Sequence, residues 1–194
     1  FADAASTGVS KMIIGEERAV AELWAAAASL LPEPRADRPR QPVYALAQPP
    51  DAGETGLRPA TLDDLELLMP ACAASHEGEL GVDPLKRDLE GFRWRTRSQI
   101  TDGRSWLWIE HGRILFKAEA SAWTPAAVQV QQVWVDPFVR GRGYGARGMR
   151  DLCRLLLGTT PIVTLFVRSE NAAAIALYES IGMHLVGHYR SLLF

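Results

Sequence analysis

A chain of 194 residues with 47% hydrophobic and 23% charged residues has the composition of a soluble globular protein, enough for one full domain and part of a second. Its formal net charge of −2 gives no electrostatic case for nucleic acid, and no apolar run approaches the ~20 residues of a membrane span. The two cysteines read as core residues, Cys72 continuing the stripe Leu62, Leu65, Leu68 and Cys153 sitting with Met149 and Leu156; this suits a reducing cytoplasm, the expected location.

Ser10 to Ile14 predicts a short strand and Gly15 a break. Glu16 to Leu31, rich in alanine, predicts a helix. Residues 32–50 then hold Pro32, Pro34, Pro39, Pro42, Pro49 and Pro50, a density that forbids helix and marks a junction, with Pro42 to Ala47 fit at most for a short edge strand. One strand and one helix cannot bury a core, so residues 1–50 are expected to pack on the rest or to complete a domain beginning before Phe1. From Leu57 a second unit, 57–194, opens with a strand to Ala60, a helix capped by Thr61 and running to about Ala74, a loop over 76–84, and a second helical region over 85–102. Ser105 to Glu110 and Arg113 to Trp123 predict two strands joined at His111-Gly112, a hairpin signal. Ala127 to Val135 is the next strand. A loop and a helix follow, then a buried strand over Ile162 to Arg168, a helix over Asn171 to Ile181, and one or two final strands over His184 to Leu193. Hairpins make the early strands antiparallel, and the crossover helix makes one later pair parallel. The expected fold is α/β, a mixed and mostly antiparallel sheet with helices on both faces.

The most specific stretch is Gln131 to Gly148. The apolar run Val133-Trp134-Val135 meets the turn Asp136-Pro137. A basic, glycine-rich loop, Arg140-Gly141-Arg142-Gly143-Tyr144-Gly145-Ala146, then enters a helix. Helix starts leave N–H groups unpaired at a positive dipole end, and glycines let a ligand reach them. Arg140 and Arg142 add charge, so the loop predicts binding of a phosphorylated cofactor. Gly141, Gly143 and Ala146 also fit the G-x-G-x-x-A dinucleotide fingerprint, with Glu170 as its ribose acid. Against that stand the residues between strand and first glycine, and the few that remain after the loop.

The loop resembles the acyl-CoA signature Q/R-x-x-G-x-G/A of the GNAT acetyltransferases, through Arg140, Gly143 and Gly145. The later helix resembles the family pattern N-x-x-A-x-x-x-Y-x-x-x-G-F through Asn171, Ala174, Tyr178 and Gly182, with Met183 in place of Phe. The resemblance covers roughly Leu57 to Phe194, and within the family the chain is similar to an actinobacterial group with an extra N-terminal region. It implies acetyl-CoA as acyl donor, held by Val133 to Val135, residues 140–146, Asn171 and Tyr178, and a primary amine as acceptor. It implies direct transfer, with Tyr178 as the acid for the departing thiolate. It leaves a homodimer open. A CoA-binding module without catalysis is the reading from another class.

The residues alone give blander alternatives. Tyr178 is also a fair half-buried helix tyrosine, and Asn171 a fair helix cap. Glu119 is the first candidate for the base, on the strand face of Leu115 and Lys117 opposite Ile114, Phe116, Ala118 and Ala120; Glu and Lys two apart are most often solvated or paired. Glu77 and Glu79, in the loop expected over 76–84, are its rivals. Gln129, Gln131 and Gln132 are unusual in a central strand and need partners, which a pocket wall would supply. His76, His111, His184 and His188 show no ligand spacing, so no metal is expected.

Overall fold

The computed structural model describes residues 11–194. A single eight-stranded sheet organises them, in the spatial order β1-β8-β2-β7-β6-β5-β4-β3. The strands are β1 Met12–Glu16, β2 Ala36–Leu46, β3 Arg58–Pro59, β4 Ser105–Glu110, β5 Arg113–Trp123, β6 Val128–Val135, β7 Val163–Phe166 and β8 His184–Leu193. The helices are α1 Glu17–Ala27, α2 Leu65–Leu80, α3 Pro84–Arg87, α4 Leu89–Thr101, α5 Tyr144–Leu157 and α6 Ala172–Ser180. Only β6 and β7 pair in parallel; every other pairing is antiparallel. The expected fold class holds.

Two apolar layers enclose the sheet. On one face α5 and α6 bury Met149, Leu152, Cys153, Leu156, Tyr178 and Ile181 against Phe116, Val130 and Leu165. On the other, α2 and α4 bury Leu68, Met69, Cys72, Phe92 and Ile100 against Leu107 and Ile114. Close approach of α5 depends on two glycines. A Cβ on Gly148 would stand 2.5 Å from the Phe116 ring, and one on Gly145 2.6 Å from Leu177. After β2 the chain runs back along α5. There Asp151 accepts from the N–H groups of Gly53 and Thr55, and Arg147 Nε donates to the Gly53 carbonyl at 2.8 Å.

Several expectations need correction. Ser10 lies outside the described residues, and Gly15 does not break the first strand: it pairs with Arg190 inside β1. The β2 segment is longer than expected and is no edge strand, since it lies between β7 and β8. Its prolines are accommodated because Pro39 falls in a bulge between Arg38 and Gln41, where Arg40 takes φ +53°, and the Pro42 carbonyl still accepts from Val167 N–H. The helix expected to stop near Ala74 continues as α2 to Leu80. The stop is Gly81, left-handed at φ 70°, while Gly78 is carried within the helix. Ile114 does not share the face of Phe116. The register advances from Phe116↔Trp108 to Ile114↔Ile109, so Leu115 is an extra residue and Ile114 turns to the α2 side.

Candidate active site

The site forms where the one parallel pair comes apart. β6 and β7 are in register only at Val128↔Val163 and Gln129↔Thr164. Beyond that point β6 stays with β5 as far as Phe116↔Val135, while β7 follows β2. The edge of β6 toward β7 is thus left open along Val133-Trp134-Val135. A bulge helps to part the strands. Between Glu119↔Gln131 and Lys117↔Trp134 the β6 strand spends one more residue than β5, and Gln132 takes a left-handed φ of 52°. A non-glycine residue in that conformation marks local strain of the kind functional sites retain.

At the end of β6 the glycine loop follows as expected. Asp136 turns the chain by accepting from Phe138 N–H at 2.8 Å. Gly141 and Gly143 have φ values of 72° and 82°, and nothing lies within 4 Å of where either Cβ would stand. Gly143 is the residue preceding α5, so the N–H groups of Tyr144, Gly145 and Ala146 at the helix start face an open approach. Arg142 is exposed, and Arg140 Nε donates to the Val135 carbonyl at 3.1 Å. The loop has the clearance, donors and charge that a pyrophosphate requires.

The remaining sequence candidates separate into two groups. Asn171 caps α6, its Oδ1 accepting from Ala174 N–H at 3.2 Å. Tyr178 is 6% exposed, on the inner face of α6 beside Tyr44. Burial first, then the charge of Glu79, pushes the Tyr178 hydroxyl pKa up, so it stays protonated. Glu119 sits elsewhere. It is 1% exposed on the α2 side of β5; Oε1 accepts from Lys117 Nζ at 3.1 Å and Oε2 from Arg95 Nη2 at 2.7 Å. Burial alone would raise the Glu119 carboxyl, but Lys117 and Arg95 outweigh it and hold it below its ordinary value. Both oxygens are occupied by cations.

Glu79 has the opposite character. With α2 extended to Leu80, it lies in the last helical turn and not in a loop. Its carboxylate receives the Gln132 side-chain amide at the bulge. The residue keeps accessible surface while protein encloses its carboxyl, and that enclosure pushes the pKa up. Glu77, two residues earlier and so about half a turn round the helix, is exposed. Gln132 thus finds the partner expected of it, and Gln129 donates to the Ser121 hydroxyl at 2.9 Å. Sequence reasoning missed Arg95, Arg38 and Arg168, whose roles arise from chain segments far apart. Both cysteines are buried, and burial pushes the Cys72 thiol up to about 11 and the Cys153 thiol up to about 12. Among the described residues no group of three or more His, Cys, Asp or Glu is placed to hold a metal ion, and no helix is long and apolar enough to cross a membrane.

A mixed sheet split at one parallel pair, with a glycine-rich helix start at the mouth, is not a doubly wound dinucleotide domain, which needs several parallel strands. The family model described as "Acetyltransferase (GNAT) family" matches residues 71–183, and the chain belongs to that family of acetyl-transferring enzymes. The N-alpha-acetyltransferase RimI of Mycobacterium tuberculosis is 43% identical over 63 residues, 32% of this chain and 39% of the relative. The mycothiol acetyltransferase of Kocuria rhizophila is 32% identical over 157 residues, 76% of this chain and 42% of that protein. The chain thus spans less than half the length of these two curated relatives. A solved GNAT-family acetyltransferase from Colwellia psychrerythraea superimposes with a TM-score of 0.69 at 12% identity, covering 94% of this chain and 64% of that one, which speaks for the fold.

Proposed function

We propose that this protein transfers the acetyl group of acetyl-CoA directly to a primary amine, with Glu79 as the base. One observation carries the reading. The open edge of β6 and the unobstructed helix start at Gly143 flank the gap between β6 and β7, and the β6 bulge ties Gln132 to the Glu79 carboxylate. The pyrophosphate would lie on the N–H groups of residues 141–146. The pantetheine arm would pair with the free edge of Val133 to Val135 as an added strand would. Backbone N–H groups near Val135 would receive the thioester oxygen as it gains charge.

The amine nitrogen attacks the thioester carbon, a carbon–nitrogen bond forms, and the carbon–sulfur bond breaks. The amine proton passes to the Glu79 carboxylate, directly or through one water. A carboxyl with a raised pKa is the better base at neutral pH, because it is closer to matching the proton it must take. Glu119, its oxygens already paired, serves the site by fixing Lys117 and Arg95 beneath it. Tyr178 donates a hydrogen bond to the sulfur as it becomes a thiolate. With its own pKa raised, the phenol does not give up the proton outright to a thiolate whose conjugate acid has a pKa near ~8.5, so the proton arrives from solvent.

The test is thiol release from acetyl-CoA over a panel of amines, in the native protein and in Glu79→Gln. Release should fall on the order of 100-fold or more in the variant, and the acid limb of the native pH profile should lie above the ordinary carboxylate range near ~4.3. Full turnover in Glu79→Gln would remove Glu79 from the chemistry. Binding of acetyl-CoA without thiol release on any amine would replace an enzyme by a non-catalytic acyl-CoA-binding module.

A further inference from the structure

Three guanidinium groups gather near the C-terminal end of α2, from two segments well separated in sequence. Arg35 Nη1 donates to the Leu80 carbonyl at 3.3 Å, and Arg38 Nη2 to the Glu79 carbonyl at 2.8 Å. Both therefore rest on the open C-terminal end of α2, where unpaired carbonyls and the negative dipole end hold cations. Arg168 stands at the end of β7, where the chain leaves Val167 bonded to the Pro42 carbonyl. Its nearest carboxylate oxygen, Glu170 Oε1, is 3.8 Å away, too far for a hydrogen bond, and the Arg168 side chain is 38% exposed. Among the described residues it makes no hydrogen bond. Glu79 and Glu170 supply two negative charges against three positive ones, in a chain whose net charge is −2.

The surroundings suit a small organic acceptor. Phe166 and Tyr189 form a half-buried aromatic pair with ring centroids 5.4 Å apart, on the two strands that flank β2. Arg38, together with Ser169 and Glu170, lines a cavity of about 530 Å³ that runs along the β2 bulge. Arg38 thus joins that cavity to the end of α2 that carries Glu79, and the charge of Arg168 acts on both Arg38 and Glu79. A guanidinium with free donors is matched by a carboxylate, which takes two parallel N–H bonds.

We infer that the acceptor is an amine that also carries a carboxylate, received by Arg168 and Arg38 while its amino group faces Glu79; this rests on the acetyl-transfer reading of the same cleft. The β2 strand supplies Arg38, so the N-terminal segment takes part in choosing the substrate as well as in completing the sheet.

The experiment compares linear ω-amino carboxylates of increasing length with their primary amides in the thiol-release assay. For at least one length the carboxylate should show a KM about tenfold below that of its amide, as a charge-assisted hydrogen bond implies. In Arg168→Gln the ratio of the two KM values should fall toward one, with kcat for the carboxylate little changed. Equal KM values for acid and amide at every length would overturn the inference, as would a variant in which both rise together. If no amine releases thiol, the acetyl-transfer reading fails. The anion site is then read by calorimetric titration of the same carboxylates into CoA-saturated protein. Binding lost in Arg168→Gln sustains the site, and no binding overturns it.

Discussion

Glu119→Gln tests whether this carboxylate is a structural counter-charge. The substitution keeps the shape of the side chain and removes its charge. Lys117 is 0% exposed and has its ammonium 3.1 Å from Glu119, so the variant leaves a cation in the interior without its paired counter-charge. Breaking a buried pair on one side costs about 3–5 kcal/mol. The Arg95 side chain is 33% exposed and turns to solvent, so its share of the loss is small. Against a total stability of roughly 5–15 kcal/mol this is severe, and for a chain of this size it lowers Tm by about 6–20 °C. Urea unfolding is the assay. Lys117→Met/Glu119→Leu should recover most of the loss, because an apolar pair of similar volume replaces two buried charges. The pH dependence follows from the lowered Glu119 carboxyl. Its contribution is fully present above the ordinary value of 4.5 and is lost as pH falls through the depressed folded value. Native and single-variant midpoints should therefore converge in acid. A single-variant cost below about 1 kcal/mol, typical of a surface pair, would refute the reasoning, as would a double variant no better than the single.

The loop and the tyrosine can be tested separately. Gly143→Asp meets no steric clash, so it should weaken acetyl-CoA binding at least about tenfold through negative charge at the helix start, while Gly143→Asn, with similar left-handed backbone strain, should lose much less; equal calorimetric affinity for the native protein and the Asp variant would take the loop out of the phosphate site. Tyr178→Phe keeps the ring among Tyr44 and the α5 side chains and removes one hydrogen bond to the thiolate, so it should lower turnover roughly tenfold to a hundredfold with CoA affinity preserved. Unaltered steady-state turnover would make Tyr178 a packing residue.

The sequence alone determined what depends on neighbours along the chain. The run Val133-Trp134-Val135, the turn at Asp136-Pro137 and the glycines at 141 and 143 specify a strand, a turn and a clear helix start within a few residues, so that loop was legible. Alternation along residues 116–120 was enough to put Lys117 and Glu119 on one face, though not to reveal the bulge at Leu115 that turns Ile114 to the same side. Gln132 betrayed itself as a polar residue in a central strand, but its partner lies on α2, and α2 could be followed to Glu79 only once Gly81 was seen to be the stop. Tertiary structure decided the rest, because it turns on pairings between distant segments. Whether Glu119 can act as a base or serves as a counter-ion depends on Arg95, which α4 lays over the same face of the sheet. Whether residues 36–46 form an edge or a central strand depends on β7 and β8, which lie more than a hundred residues further along. Charges and hydrogen-bonding groups act over a few ångströms in space, and only the folded chain brings those ångströms together.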